Sequence, residues 1–147
     1  MTLDPAARLR AAGLRATRPR VHVLATLDGL GGHPTADDLA DALRAAGLPI
    51  ARASLYHVLA SLVAAGVASS ADAGPGPTRY EASGGWHHHL VCRSCGAVVD
   101  IPCTRERHPC LEPDLPGIEV EEALVTYRGR CAACVSAGRG RGPTVRA

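Results

Sequence analysis

A chain of 147 residues holds one ordinary domain or two small ones, and at that size the core gains from a metal staple or a partner subunit. Apolar residues make up 46% of it, but no apolar run approaches the ~20 residues that cross a bilayer, which excludes a membrane-spanning helix. The net charge of +2 does not by itself announce nucleic acid, although Arg8, Arg10, Arg15, Arg18 and Arg20 face the single acid Asp4 in the first twenty residues.

Met1 to Arg10 carries acid and arginine among alanines with no apolar h-region, so a cytoplasmic protein is expected. There thiols stay reduced, and cysteines at short spacing read as metal ligands rather than disulfides. Residues 4 to 12 and 18 to 27 are predicted helices, with Leu9, Val21, Leu24 and Leu27 at helical spacing and Thr17 as the cap of the second. Gly29, Gly31 and Gly32 end it. Thr35, with Asp38 at the capping-box position, opens a third helix from about Ala36 to Ala46, which Gly47 and Pro49 stop. A fourth begins near Arg52 or Ala53, carries Leu55, Val58, Leu59, Leu62 and Val63 on one face, and closes at Gly66.

Two short β runs, Val67 to Ala71 and Thr78 to Ala82, flank a Gly/Pro-rich hairpin tip at 73–77. Helices followed by such a hairpin make a winged helix-turn-helix, a DNA-docking arrangement. After Gly84 and Gly85 the composition turns to histidine, cysteine and β-branched residues. Strands are predicted at Leu90 to Cys92, Val98 to Ile101 and Ile118 to Tyr127, with a Pro-rich stretch from 102 to 117. The expected architecture is therefore α+β. It comprises a winged helix over 1–83, a small zinc-stapled α/β dimerisation domain over 84–136, and a disordered Gly/Arg tail over 137–147.

Cys92-Arg-Ser-Cys95 and Cys131-Ala-Ala-Cys134 are two CxxC knuckles, and two residues between thiolates let one tight turn aim both sulfurs at a single tetrahedral ion. Four thiolates leave no open position, so this zinc is structural and supplies folding energy. The competing reading is unliganded or redox cysteines. On a strand, period 2 sends His87 and His89 to one face and His88 to the other. With Glu81 and Asp100 nearby, that face suits a borderline divalent ion such as Fe, Mn, Ni or Zn. The competing reading here is a solvated polar strand. Spacing alone does not recruit His33.

Five segments together resemble the ferric uptake regulator family of metal-dependent repressors, over about residues 8 to 136. They are Leu14-Arg-Ala-Thr-Arg-Pro-Arg20, His33-Pro-Thr-Ala-Asp-Asp-Leu39, Ser54-Leu-Tyr-His-Val-Leu59, Arg79-Tyr-Glu81 and His87-His-His-Leu-Val-Cys-Arg-Ser-Cys-Gly96. The resemblance implies a homodimer that closes over a palindromic double-stranded operator when a sensory metal binds His33, Glu81, His87 and His89. Asp100 matches the fifth ligand of the peroxide-sensing branch, and the four knuckle cysteines match the family's structural zinc. DNA contacts are expected from Arg15, Arg18 and Arg20 and, on the recognition helix, from Arg52, Ser54, Tyr56 and His57. Tyr56 would touch bases in the major groove and Arg15 would reach the minor groove.

The sequence departs from the family at His57, where arginine is common and operator contacts are set, at Trp86, where another histidine is common, and between Asp100 and the last strand, where the family's helix is shortened to a Pro-rich stretch. A third metal site is therefore not expected, and His88 is expected at the surface. Cys103 and Cys110 resemble the extra pair of actinobacterial members that repress a catalase gene. Three roles stand open for them: a direct disulfide switch, plain buried thiols, or bystanders to peroxide oxidation of a histidine ligand around Fe(II) or Mn(II). The expected function is thus a peroxide-sensing, metal-dependent repressor of oxidative-stress genes. The alternatives are a nickel, zinc or iron uptake regulator of the same family, a thiol switch through Cys103 and Cys110, or a metalloenzyme built on His87, His89 and Glu81.

Overall fold

Asp4 opens the first helix, α1 (Pro5–Ala11), by accepting the Ala7 amide at 3.1 Å, and the missing N–H of Pro5 costs nothing in the first turn. The structure, a computed structural model, describes residues 4–71, 76–82, 87–102, 116–117, 119 and 125–138. It divides into two compact units, Met1–Gly84 and Gly85–Ala147.

In the first unit α1 buries Leu9, and Arg8 forks onto the Asp28 carboxylate with two bonds of 2.8 Å while also donating to the Val67 carbonyl. Helix α2 spans Arg18–Leu30 and buries Val23, Leu24 and Leu27. It runs a turn beyond the predicted end at residue 27. One glycine inside a helix costs only about 1 kcal/mol, and the Arg8 tie on Asp28 with the burial of Leu27 outweighs it. The helix stops at Gly31, whose φ of 61° is left-handed. Thr17 makes no side-chain cap bond, contrary to expectation. Pro19 in the first turn removes one of the amides that such a cap would satisfy.

Helix α3 (Ala36–Ala45) has the predicted capping box: Thr35 Oγ1 accepts the Asp38 amide at 3.1 Å, and the Asp38 carboxylate accepts the Thr35 amide at 2.8 Å. The Thr35 backbone amide and hydroxyl hold the Asp38 carboxyl below its ordinary value of 3.8. A depressed carboxylate stabilises the fold above that ordinary value, and the contribution disappears as pH falls through the lower folded value. Thr35→Ala is expected to cost about 1 kcal/mol at neutral pH, and less in acid once Asp38 is protonated in both proteins. Urea unfolding at two pH values, read by helical circular dichroism, checks it.

Helix α4 (Arg52–Ala64) buries Leu55, Leu59 and Leu62, with Val58 and Val63 half-buried against the same core. Strands β1 (Ala68–Ala71) and β2 (Arg79–Ala82) pair antiparallel, so the winged helix is complete. The wing is pinned to the turn before α3. Tyr80 N–H donates to the Pro34 carbonyl at 2.9 Å, Arg79 donates to the His33 carbonyl at 3.0 Å, and Thr35 bridges Arg79.

The second unit holds a three-stranded sheet in the order β4-β3-β5, where β3 is His87–Cys92, β4 is Val98–Pro102 and β5 is Thr126–Gly129. β3 pairs antiparallel with β4 and parallel with β5. β3 starts three residues before its predicted start, because the histidines join the ladder. A short helix, α5 (Ala132–Ser136), follows and was not expected from the sequence. The expected tail past Gly138, Trp86, Cys103, Cys110 and most of the Pro-rich stretch lie outside the described residues, as do residue 118 and residues 120–124 of the predicted last strand. Among the described residues no helix is long and apolar enough to cross a membrane.

Candidate functional site

The two knuckles meet. The first is a turn leaving β3, closed by Gly96 N–H to the Cys92 carbonyl at 2.9 Å, with Gly96 at a φ of 73° that a β-carbon would strain. The second starts at Cys131, and α5 carries Cys134 back to the same point. One sulfur from each of Cys92, Cys95, Cys131 and Cys134 lies within 4.8 Å of all the others, and Cys95 Sγ is 3.8 Å from Cys131 Sγ. A zinc tetrahedron with bonds of ~2.3 Å has edges of ~3.8 Å, so the donor set fits zinc in both chemistry and size.

The thiols are unequal. The Cys131 amide, 3.3 Å from Cys92 Sγ, leads a group of backbone donors that lower the Cys92 thiol to about 6, ready to bind as thiolate. Burial and its thiol neighbours push Cys134 up to about 12. Crowded sulfurs cannot all ionise without a countercharge, and a divalent cation supplies one.

Each unit also carries histidine and carboxylate donors of its own. In the first, His33 Nε2 lies 3.1 Å from Glu81 Oε2, and both side chains are more than nine-tenths buried. The wing ties just described fix His33 relative to β2. Glu81's other oxygen accepts the Ser69 hydroxyl at 2.6 Å, Ser69 being its register partner on β1. The sequence reading missed Ser69. The register that faces it with Glu81 depends on the length of the hairpin loop, which a Gly/Pro run does not reveal.

In the second unit His87 and His89 share one face of β3, as period 2 predicted, with ring centroids 4.8 Å apart. Asp100 lies opposite His89 on β4, and its Oδ1 is 3.6 Å from His87 Nε2 and 3.9 Å from His89 Nε2. Two imidazoles and a carboxylate at this spacing suit a divalent ion of the Fe, Mn, Ni or Zn type. His88 corrects an expectation. It is buried, not at the surface, and its ring sits edge-on to Tyr127 at 6.3 Å, because the other face of β3 is covered at that point.

The candidate DNA residues fall on the first unit. Arg52, Ser54, Tyr56 and His57 are exposed on the first two turns of α4, and Arg15 and Arg18 are exposed before and at the start of α2. Arg20 is engaged inside the fold. Its Nε donates to Ser61 Oγ and its Nη1 to the Arg15 carbonyl, each at 3.2 Å, so it orients Arg15 and braces α2 on α4.

A winged helix with a buried His/carboxylate pair, in one chain with a four-thiol cluster, defines the class of metal-responsive DNA-binding regulators. The chain belongs to the ferric uptake regulator family, whose model matches residues 11–107. It is 42% identical over 135 residues to the transcriptional regulator FurA of Mycobacterium tuberculosis, covering 89% of this chain and 90% of that one. The ferric uptake regulator of Pseudomonas aeruginosa, solved with manganese, superposes with a TM-score of 0.70 at 29% identity over 89% of this chain and 99% of that chain. The Campylobacter jejuni peroxide stress regulator superposes with a TM-score of 0.53 at 29% identity, over 69% of this chain and 73% of that chain. These relatives are regulators, and the α+β architecture of winged helix plus dimerisation domain is the family's.

Proposed function

We propose that this protein is a cytoplasmic, homodimeric repressor that binds a palindromic operator when one divalent ion, iron(II) or manganese(II), links its two units. His33 and Glu81 on one side and His87, His89 and Asp100 on the other are its ligands, while zinc on Cys92, Cys95, Cys131 and Cys134 holds the 84–136 dimerisation domain. The observation that carries this reading is the buried His33–Glu81 pair, fixed on the wing with its carboxylate buttressed by Ser69. A buried imidazole nitrogen and a carboxylate oxygen stand side by side as donors for a borderline divalent ion, and they sit beside the element that must be aimed at DNA.

The ion supplies charge and a coordination shell, and the protein supplies geometry. Closing two ligand sets around it fixes one angle between the DNA-binding and dimerisation domains, and Arg15, Arg18, Arg52, Ser54, Tyr56 and His57 then face duplex in register with the partner subunit. The coupling is reciprocal. If manganese tightens operator binding a hundredfold, about 2.7 kcal/mol, then operator must tighten manganese by the same factor. Fluorescence anisotropy of a labelled operator with and without Mn(II), beside manganese titrations with and without operator, measures both. Unequal factors, or none, contradict metal control.

Peroxide is the proposed signal and oxidative-stress genes, catalase among them, the proposed targets. Iron(II) held by these residues would supply the one-electron chemistry that activates hydrogen peroxide; one oxygen atom would go to the ring of His33 or His87 and the other would leave as water, so that a ligand is lost and the operator released. The His/carboxylate donor set, which favours iron or manganese over a thiolate-loving ion, supports this. A gain of one oxygen on the peptide holding either histidine is the expected result. Loss of two hydrogens between Cys103 and Cys110 would replace it with the disulfide route.

A further inference from the structure

The capping box turns Asp38 inward onto Thr35, and this leaves the next acid, Asp37, about 100° round α3 and facing the start of α4. There Asp37 Oδ1 meets Arg52 Nη1 at 3.1 Å. Arg52 in turn lies over the ring of Tyr56, one helical turn further on, with its guanidinium carbon 5.7 Å from the ring centroid and Nη2 3.5 Å from the hydroxyl. The three side chains form one exposed chain, acid to guanidinium to aromatic, along a groove of about 330 Å³ between α3 and α4. A second pair, Asp41 with Arg44 at 2.6 Å, lines the same groove, so its charges are balanced internally.

This chain is poorly explained by stability. Asp37 and Arg52 are both about two-thirds exposed, where an ion pair adds little. Arg52 is also the first residue of α4, where the helix dipole disfavours a cation. An arginine at that place is better explained by what approaches α4 from outside.

We propose that Asp37 is a specificity-positioning residue for DNA. It occupies Arg52, so that the guanidinium orders Tyr56 for base contact instead of seizing any phosphate that comes near. A free arginine at the tip of a recognition helix adds one phosphate contact to every duplex, and such contacts raise affinity without sequence information. Shared with Asp37, Arg52 offers that contact less readily to any duplex. What it contributes instead is one fixed face for the Tyr56 ring, which has value only on a sequence that matches it. The inference rests on α4 being the DNA-reading helix.

The test uses full-length, manganese-loaded protein and two labelled duplexes: an operator selected from a random pool by the wild-type protein, and a scrambled duplex of equal length. Asp37→Ala is expected to bind the scrambled duplex roughly three- to tenfold more tightly and the operator within twofold of wild type, because on the operator the added phosphate contact is offset by the loss of the ordered Tyr56 ring. Its slope of log affinity against log salt on the scrambled duplex should steepen by about 0.9, the signature of one added phosphate contact. Asp37→Asn should behave the same way, and adding Arg52→Ala to Asp37→Ala should restore the wild-type slope. An unchanged slope in Asp37→Ala overturns the proposal. So does a gain that survives in the double variant, which would assign it to lost repulsion from the acid alone. Tyr56→Ala decides the underlying reading separately. Loss of discrimination between the duplexes supports α4 as the reading helix, and retained discrimination removes that reading and the proposal with it.

Discussion

Cys95→Ser or Cys131→Ser is expected to strip the chain of its zinc, from one ion per chain to none, and to unfold the second unit while the helices of the first survive. The difference in apolar burial among the described residues of the two units motivates this. The first unit buries Leu9, Val23, Leu24, Leu27, Leu39, Leu43, Leu55, Leu59 and Leu62 in one continuous cluster. Among the described residues of the second unit the buried apolar side chains are Val91, Cys92 and Cys134, and two of these are proposed zinc ligands. Burying one valine supplies about 1.5–3 kcal/mol, whereas a structural zinc in a small domain supplies about 10–16 kcal/mol. Among the described residues the metal outweighs apolar burial several-fold, so a domain short of one thiolate is expected to unfold. Metal analysis of the purified variant and a thermal melt followed at helix and sheet wavelengths read the result. A variant that keeps its zinc, or a single melting transition as high as that of wild type, would refute it.

The second large effect is expected at the proposed regulatory ion. His87→Ala removes one imidazole and should weaken manganese binding at least a hundredfold and abolish the manganese-dependent gain in operator affinity. Ser69→Ala leaves every ligand in place and removes only the 2.6 Å hydroxyl bond that holds the Glu81 carboxylate. Loss of an outer partner of this kind costs about 10- to 100-fold in metal affinity, so Ser69→Ala should fall between His87→Ala and wild type. Binding to operator without added metal should be equal in all three. Isothermal titration with Mn(II) gives the order. If Ser69→Ala binds as wild type does, Glu81 is not a ligand held from behind. If His87→Ala retains the manganese response, the face of β3 does not hold the ion.

Much of this was readable before any coordinates, and the reasons are local. Thr35 and Asp38 declare a helix start because a capping box is closed within four residues. The CxxC pairs declare a tetrahedral site because ligand spacing within each turn is a property of the turn. His87 and His89 share a face because strands alternate. What escaped the sequence depends on contacts between distant segments. The extension of α2 through Gly29 is held by Arg8, twenty residues earlier. His88 is buried by packing on its face of β3, beside Tyr127. Ser69 meets Glu81 through a register that a Gly/Pro tip leaves open, and Asp37 meets Arg52 across two helices. The proposed role of His33 comes only through family resemblance, since nothing in the order of residues says that a loop histidine lies 3.1 Å from a strand carboxylate.

Manganese K-edge X-ray absorption on the full-length protein at saturating metal is the most direct trial of a single ion shared by wing and sheet. Wild type should show one manganese per chain in a shell of nitrogen and oxygen without sulfur, with three imidazoles in the outer scattering. His33→Ala and His87→Ala should each show two. An unchanged imidazole signal in His33→Ala would mean that the ion sits on the sheet alone, and the metal could then set no angle between the arms.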